Sequence, residues 1–484
     1  MIIKMKIVYL LSILFFTNIV LGQEVEIEWS HTFGGENDDK GRVIQETSDG
    51  GFIITGNTFS YSEGDRDLWL IKTDSEGNEE WSRVFDQGDD DSGHYVQQTN
   101  DGGYIVSGYT KSLTLIIEYV CDNGDSENDW ECEDSLDLCN DDENSCIQQF
   151  ESYWIRDGWI IKTDSYGNEE WNKVFGGVSD ESKEWGRSIQ QTQDGGYIIS
   201  GVSFDDGSQN LLLMKIDSLG NEEWLRYYDN SDGRFVVETD DGGFIVGGEV
   251  ESDEDWSRYI LLMKYDVSGN QEWVQTYGSI DFYEEGQSLK KTQDGGYIIV
   301  GIYNDDNNDD GILLLKTDNN GNQQWLQRFS YGIEERGESV YQTHDMGYII
   351  TGRSNNDLYI LKTDINGNEE WYDTFGGEGE DEGRSIIETD IGEYVISGYS
   401  EDNTEYDDLW LLKVSTPIDS CSSNIVGDLN YDNVVNVVDI VTLVNCIFFS
   451  SGCDLCSDLN QDNQINVLDV VGLVNIILDI NISQ

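Results

Sequence analysis

Along most of the chain, short apolar runs bounded by glycine, aspartate and asparagine follow one another in an order that recurs about every fifty residues. The clearest copy reads Gly186-Arg187-Ser188-Ile189, Asp194-Gly195-Gly196-Tyr197-Ile198-Ile199, Leu212-Leu213-Met214-Lys215, Asp217, Gly220-Asn221 and Trp224. Within each run apolar residues alternate or cluster as they do in strands. The Asp-Gly-Gly and Gly-Asn pairs supply tight turns between antiparallel neighbours. Four short strands per repeat are predicted.

The ends of the repeat array fix its architecture. Gly-Asn-x-x-Trp recurs with Trp81, Trp171, Trp224, Trp273, Trp325 and Trp371, while Trp29 stands near the start without the strands that should precede it. The segment Asp408-Leu409-Trp410-Leu411-Leu412-Lys413 is a third strand that never reaches its own tryptophan strand. The two half-repeats complete each other only if the N-terminal strand joins the last unit. The expectation is therefore an all-β, seven-bladed β-propeller over residues 23–416, whose closure removes open sheet edges. An open solenoid is the alternative, but it would not need matching halves. The segment Lys-x-Asp-x-x-Gly-Asn-x-x-Trp resembles the tryptophan-docking motif of the PQQ-like propeller repeats, with the Asp-to-Gly spacing shorter by one. That resemblance implies a structural role for all seven tryptophans, docking each blade on its neighbour.

After Pro417 the pattern changes. Asp428, Asn430, Asp432, Asn436 and Asp439 recur thirty residues later as Asp458, Asn460, Asp462, Asn466 and Asp469. Oxygen side chains at loop positions 1, 3, 5, 9 and 12, with a backbone carbonyl at 7 from Val434 or Gln464, form the ligand set that Ca²⁺ takes. Asn433 and Asn463 stand where glycine is usual, and asparagine enters the left-handed region cheaply. Each loop runs into an apolar helix, Val437 to Phe448 and Val467 to Leu478, without a clear entering helix. A polar turn between helices is the bland alternative. From Pro417 onward there are nine aspartates and no Lys, Arg or His, so the expectation is a small all-α domain over 417–484 held closed by two calcium ions.

Residues Gly427 to Leu478 resemble the type I dockerin module. The resemblance implies a cohesin-like partner on a scaffold or cell surface, and a setting in which many such proteins act on polysaccharides. The positions that commonly meet the partner are Val437, Val438, Val444 and Asn445 in the first half, and Val467, Leu468, Val474 and Asn475 in the second. An apolar contact surface is implied unless these valines are core.

Composition bounds the rest. Lys4 and Lys6 precede an apolar run from Ile7 to Leu21 and the small residue Gly22, the pattern of a secretory signal peptide over 1–22; a membrane anchor is the competing reading, but the run is short for a span. An exported, extracellular or surface-attached protein is expected. Its eight cysteines then read as disulfides in two groups, Cys121, Cys132, Cys139 and Cys146, and Cys421, Cys446, Cys453 and Cys456, with pairing open and zinc as the alternative. The first group lies in an acidic insert at about 112–153, either a further calcium site or an inert insertion. A net charge of −70 excludes nucleic acid as a partner and disfavours anionic membranes.

Candidate chemistry in the repeats is sparse. The opening strand carries Gly-Arg at Arg42, Arg187, Arg234 and Arg384, preceded by acids such as Asp39, Asp232 and Glu382; other blades hold His94, Gln287 and Glu338. If these strands line the channel, they form a ring that either neutralises itself or holds an ion or a sugar. The three histidines, His31, His94 and His344, stand in no Ser-His-Asp or Cys-His arrangement, and no metal-ligand cluster or catalytic residue is read in the repeats. The leading expectation is a non-catalytic binding protein attached to a scaffold, with a glycan as the candidate ligand of its propeller. The alternatives are a polysaccharide-active hydrolase or lyase on the propeller, marked by a blade that breaks the pattern and gathers two carboxylates, and a structural surface protein whose tail folds back on itself.

Overall fold

A computed structural model describes residues 25–484 apart from 63, 123–129, 132–144, 177–182, 206–207, 253–256, 280–281, 306–309, 333, 402–405, 417–426, 428, 430–434, 450–464 and 483–484. The fold is mostly β and propeller-like. Among the described residues five sheets have four strands, and a sixth has nine because two such groups, with the short strand Trp130–Glu131, touch through a single parallel pairing, Lys183 with Arg156. The first strands of the successive groups are Asp39–Glu46, Ser92–Gln98, Lys183–Gln191, Ser231–Glu238, Phe282–Lys291, Arg336–Gln342 and Asp381–Asp390. Each touches the next in this order, and the last touches the first.

Period-two alternation explains why both faces of each group are apolar. In the strand Phe52–Thr58, Ile53 packs with Val96 and Tyr104 of the following group, whereas Ile54 packs with Val395 and Leu411 of the preceding one. Seven core clusters result, each shared by two neighbouring groups. The N-terminal strand Glu26–Phe33 pairs antiparallel with Asp408–Ser415, with Trp29 opposite Lys413, and so supplies the fourth strand of the last group.

The tryptophans sit where one group meets the next. A Cβ on Gly77, Gly167, Gly220, Gly269, Gly321 or Gly367 would lie within 3.0 Å of Trp29, Trp81, Trp171, Trp224, Trp273 or Trp325 respectively. These turn glycines also have φ between 74° and 79°, so backbone conformation and ring contact both require glycine. A buried lysine repeats beside them. Lys215 is 2% exposed, and its Nζ lies 3.0 Å from Asp194 of the Asp-Gly-Gly turn and 3.1 Å from Glu223. Burying an ammonium is tolerable only with such partners; Lys72, Lys162 and Lys362 repeat the arrangement.

The insert departs from the expected loop. The flanking strands run on as a long hairpin, Tyr104–Asp122 against Ser145–Thr163, carrying the short strand Trp130–Glu131 and placing Cys121 opposite Cys146 in register. Cys132, Cys139, Cys421, Cys453 and Cys456 lie outside the described residues, and Cys446 falls within the first helix below. So does the expected signal peptide lie outside them. Among the described residues no helix is long and apolar enough to cross a membrane.

Two helices follow the repeats: α1, Val437–Phe449, and α2, Val467–Ile482. They begin where the sequence places them, and α2 runs four residues past Leu478. Leu429, Leu443 and Leu473 form their common buried core.

Candidate functional site

The first strands enclose a cavity of about 1020 Å³. Arg42, His94, Arg187, Arg234, Gln287, Glu338 and Arg384 all line it. Each is the extra residue of a β-bulge: the register slips between Gly41 and Val43, Gly93 and Tyr95, Gly186 and Ser188, Gly233 and Phe235, Gly286 and Ser288, Gly337 and Ser339, and Gly383 and Ser385. A bulge residue leaves the ladder and re-aims its side chain. The preceding glycines allow close approach between groups; a Cβ on Gly93 would meet Thr55 Oγ1 at 2.2 Å. The bulge is what turns the Gly-Arg pattern into a ring of polar side chains, and a break in strand alternation is its trace in the sequence.

The ring is electrostatically uneven. On one side Arg187 donates to Asp232 at 2.9 Å, and Arg234 lies 3.2 Å from Asp232, 3.4 Å from Glu249 and 3.6 Å from Glu285. Arg258 joins the same network, 2.7 Å from Glu249 and 3.2 Å from Glu285. Arg384 lies 3.4 Å from Glu338 and 3.1 Å from Glu382. Burial pushes the Glu249 carboxyl up, helped by Glu285 and Asp232 and opposed by Arg234. Glu249 and Glu285 were not read from the sequence as part of this region. Glu285 stands two residues before Gln287, where Asp232 and Glu382 stand before their arginines, a signal the sequence offered; for Glu249 only its distance from Arg234 in the fold marks it.

Arg42 differs. Among the described residues it makes no ion pair, and its buried Nε has no hydrogen-bond partner. Burial, then Arg384, Arg66 and Arg187, lower its pKa to about 10, while Tyr109 opposes them. His94, next in the ring, is held well below its usual range by burial and by Arg42 and Arg187. Its Nδ1 lies 3.1 Å from the Gly186 carbonyl. A carbonyl only accepts, so Nδ1 carries the proton and Nε2 of the neutral ring is an acceptor.

One expectation about this ring needs correction. Asp39 does not alternate with the arginines: it is fully buried and accepts from the Gly35 and Phe59 amides at 3.0 and 3.2 Å, clamping the connection between groups. Asp232 and Glu382 do pair with ring arginines. The other histidines lie apart: His31 bonds the Glu76 carbonyl at 2.9 Å and His344 bonds Glu388 at 2.7 Å.

A second correction concerns metal ligands in the repeats. Asp67, Asp86 and Asp91 offer carboxylate oxygens within 4.8 Å of one another, two of the three residues being buried. Asp67 opens the strand Asp67–Thr73, and Asp86 and Asp91 lie in the connection between Glu79–Phe85 and Ser92–Gln98, which the fold brings beside it. Related pairs recur: a Cβ on Gly176 would lie 2.1 Å from Asp157 Oδ1 and 3.0 Å from Glu184 Oε2. Burial and Glu184 push the Asp157 carboxyl up to about 6.

At the C-terminus, Asn436, Asp439, Asn466 and Asp469 are described; Asp428, Asn430, Asp432, Val434, Asp458, Asn460, Asp462 and Gln464 lie outside the described residues. Asn436 accepts from the Val438 amide at 2.8 Å, and Asp439 reaches back to the Asn436 amide at 2.7 Å. Asn466 and Asp469 repeat this on Leu468 and Asn466 at 2.9 and 2.8 Å. It is a reciprocal capping box with Asn and Asp in the usual Ser and Glu positions. Both aspartates are fully buried, and Asp439 also accepts from the Leu429 amide at 2.8 Å. The apolar positions are open to solvent: Val437 and Val467 are each 66% exposed, with Val438, Val441, Leu468 and Val471 also exposed. Val444 and Val474 are half-buried and Asn445 is exposed.

No protein-family model matches the sequence, and no curated protein matches it. Among solved structures the chain is similar to a protein of unknown function from Dyadobacter fermentans DSM 18053 (9% identity over 81% of this chain and 99% of that one, TM-score 0.45). It is also similar to polysaccharide lyase Uly1 (10% identity, 79% and 91% covered, TM-score 0.45) and to Drosophila Plexin A in complex with Semaphorin 1b (8% identity, 84% and 90% covered, TM-score 0.46). Identities of this size carry no residue's role onto this chain. The class defined by the fold is a propeller-like all-β protein with a short helical segment after its repeats.

Proposed function

We propose that this is an exported, non-catalytic binding protein: a seven-bladed propeller, closed by its N-terminal strand, attached to a scaffold or cell surface through a calcium-dependent, dockerin-like tail. The observation that carries the attachment is duplication. Two helix starts thirty residues apart share the same caps, the same buried aspartate and the same exposed apolar triplet. A soluble tail has no folding reason to expose Val437, Val438 and Val441 and then repeat the exposure at Val467, Leu468 and Val471; a partner that covers them supplies one. In this reading the occupant is a cohesin-like module.

Calcium fits the residues present. Asp439 and Asp469 are buried carboxylates held by backbone amides in a segment without any basic side chain after Pro417, and a divalent cation would compensate their charge there. Asp428, Asn430, Asp432, Val434 and Asn436 would complete the first site with Asp439; Asp458, Asn460, Asp462, Gln464 and Asn466 would complete the second with Asp469. Oxygen ligands in this number suit a hard divalent ion. The insert cysteines are read as disulfides, with the facing positions of Cys121 and Cys146 favouring that pair.

A binding role suits the cavity better than a catalytic one. Unit-to-unit variation places Glu285 and Glu338 on its wall and buries Glu249 in the same ion-pair network, but each is engaged by arginine, and a carboxylate committed to a guanidinium is a poor general acid or base. Pull-down of the full chain with a panel of cohesin modules, in calcium and in chelator, tests the attachment. Capture should require calcium and disappear in Asp428→Ala/Asp458→Ala; capture that survives chelator and both changes would refute it.

A further inference from the structure

We propose that the arginine-rich side of the central cavity binds an oxyanion, gripped by Arg42 with Arg384 and Arg187 flanking it. Two of the four ring arginines find a carboxylate two residues earlier on the same strand, Asp232 for Arg234 and Glu382 for Arg384, while Arg187, with Trp185 at that position, reaches Asp232 of the next group instead. Even where the ring residue is Gln287, the acid persists as Glu285, 3.1 Å away. Two residues before Arg42 stands Lys40. That lysine is itself occupied, 2.5 Å from Asp407 and 4.0 Å above the Tyr399 ring. The blade that keeps its arginine has therefore lost the acid that would neutralise it.

The surroundings add positive charge instead of removing it. Arg384 and Arg187 are near enough to depress the ionisation of Arg42, and Arg66 does the same. Arg66 and Arg156 share one carboxylate, Asp90, at 2.6 and 3.4 Å. A chain with 27 basic residues against 97 acidic ones has every opportunity to pair its arginines. Leaving Arg42 unpaired at the wall of a cavity of about 1020 Å³, which Arg336 also lines without an ion pair among the described residues, gives that cavity a planar fork of donors suited to two oxygens of a carboxylate, sulfate or phosphate group. His94 supplies a neighbouring acceptor, which suits a hydroxyl on the same ligand.

The net charge of −70 does not forbid this. The cavity wall itself is nearly balanced, with six acids against seven basic residues, charges farther away are screened over roughly 8–10 Å, and a bound oxyanion touches the guanidinium at about 3 Å in a partly desolvated site. Contact wins over the distant field. The inference rests on the propeller being a binding body and not on the tail, so failure of cohesin capture leaves it standing.

Isothermal titration calorimetry of the full chain with sodium phosphate, sodium sulfate, sodium glucuronate and neutral glucose provides the test. At least one oxyanion should bind at one per chain and glucose should not; glucuronate alone would identify a sugar acid as the source, and phosphate or sulfate alone an inorganic ion. Arg42→Gln should weaken binding by about tenfold or more. Glu338→Gln, which removes one of the two carboxylates that hold Arg384, should tighten it several-fold, a gain that misfolding cannot imitate. No binding by the wild type, equal affinity in Arg42→Gln, or no gain in Glu338→Gln would overturn the proposal.

Discussion

At the scale of single residues, the repeat shows which positions are dictated by backbone conformation. Six turns reuse Asp-x-Gly, and in five of them the middle residue is a glycine at φ between 77° and 86°; in the sixth it is Met346 at φ 68°. A side chain in this region costs about 1–2 kcal/mol, while glycine costs about 0.5–1 kcal/mol in unfolded-state entropy. Met346→Gly should therefore stabilise the protein by roughly 0.5–1 kcal/mol, read as a shift in the denaturant midpoint without a change in slope. Asp157 makes a prediction of opposite character. Its folded pKa of about 6 lies above the ordinary 3.8, so the folded state holds the proton more tightly and stability rises as pH falls from about 6 toward 4. Asp157→Asn should gain about 1 kcal/mol near neutral pH, after discounting for its partial exposure, and lose that advantage near pH 4. The ring arginines were legible in the sequence because Gly-Arg recurs; the solitude of Arg42 was not, since it depends on whether the fold brings it an acid from a neighbouring strand, as it brings Asp232 to Arg187.

At the scale of elements, strands and turns followed directly from short apolar runs punctuated by Asp-Gly-Gly and Gly-Asn, and both helix starts from the points where the Asp/Asn-rich loops give way to apolar runs; the Asn-x-x-Asp caps at those starts emerged only in the structure. The insert was the exception. Its backbone continues the flanking ladder, with Leu113 opposite Trp154 and Ile116 opposite Glu151, so pairing outruns the point at which composition turns acidic. The most testable element is the N-terminal strand. Removing residues 25–33 would uncover the edge formed by Leu409 to Val414 and leave Gly77 without Trp29. We expect that truncation to aggregate, with loss of a cooperative transition in light scattering and circular dichroism. Trp29→Ala should keep the pairing and cost about 2 kcal/mol, because Trp29 is only half-buried.

At the scale of the whole molecule, charge dominates. With −70 to accommodate, self-repulsion opposes compaction and falls as salt shortens the screening length. The thermal midpoint should rise by roughly 5 °C or more between low salt and about 0.5 M sodium chloride; an unchanged midpoint would show that buried pairs such as Lys215 with Asp194, which salt hardly reaches, set the stability alone. Chelator should melt α1 and α2 while the strands persist, giving two separate transitions by circular dichroism. The acidic groups at the junctions, such as Asp67, Asp86 and Asp91, were invisible in the sequence because ninety-seven acids hide any particular three. One last consequence follows from the bulges. Since each ring side chain hangs outside the hydrogen-bond ladder, its identity is decoupled from folding, and the present occupants already include arginine, histidine, glutamine and glutamate on the same backbone. The channel wall is thus a seven-position dial that mutation can reset one click at a time, offering new specificities from a scaffold that need not be redesigned.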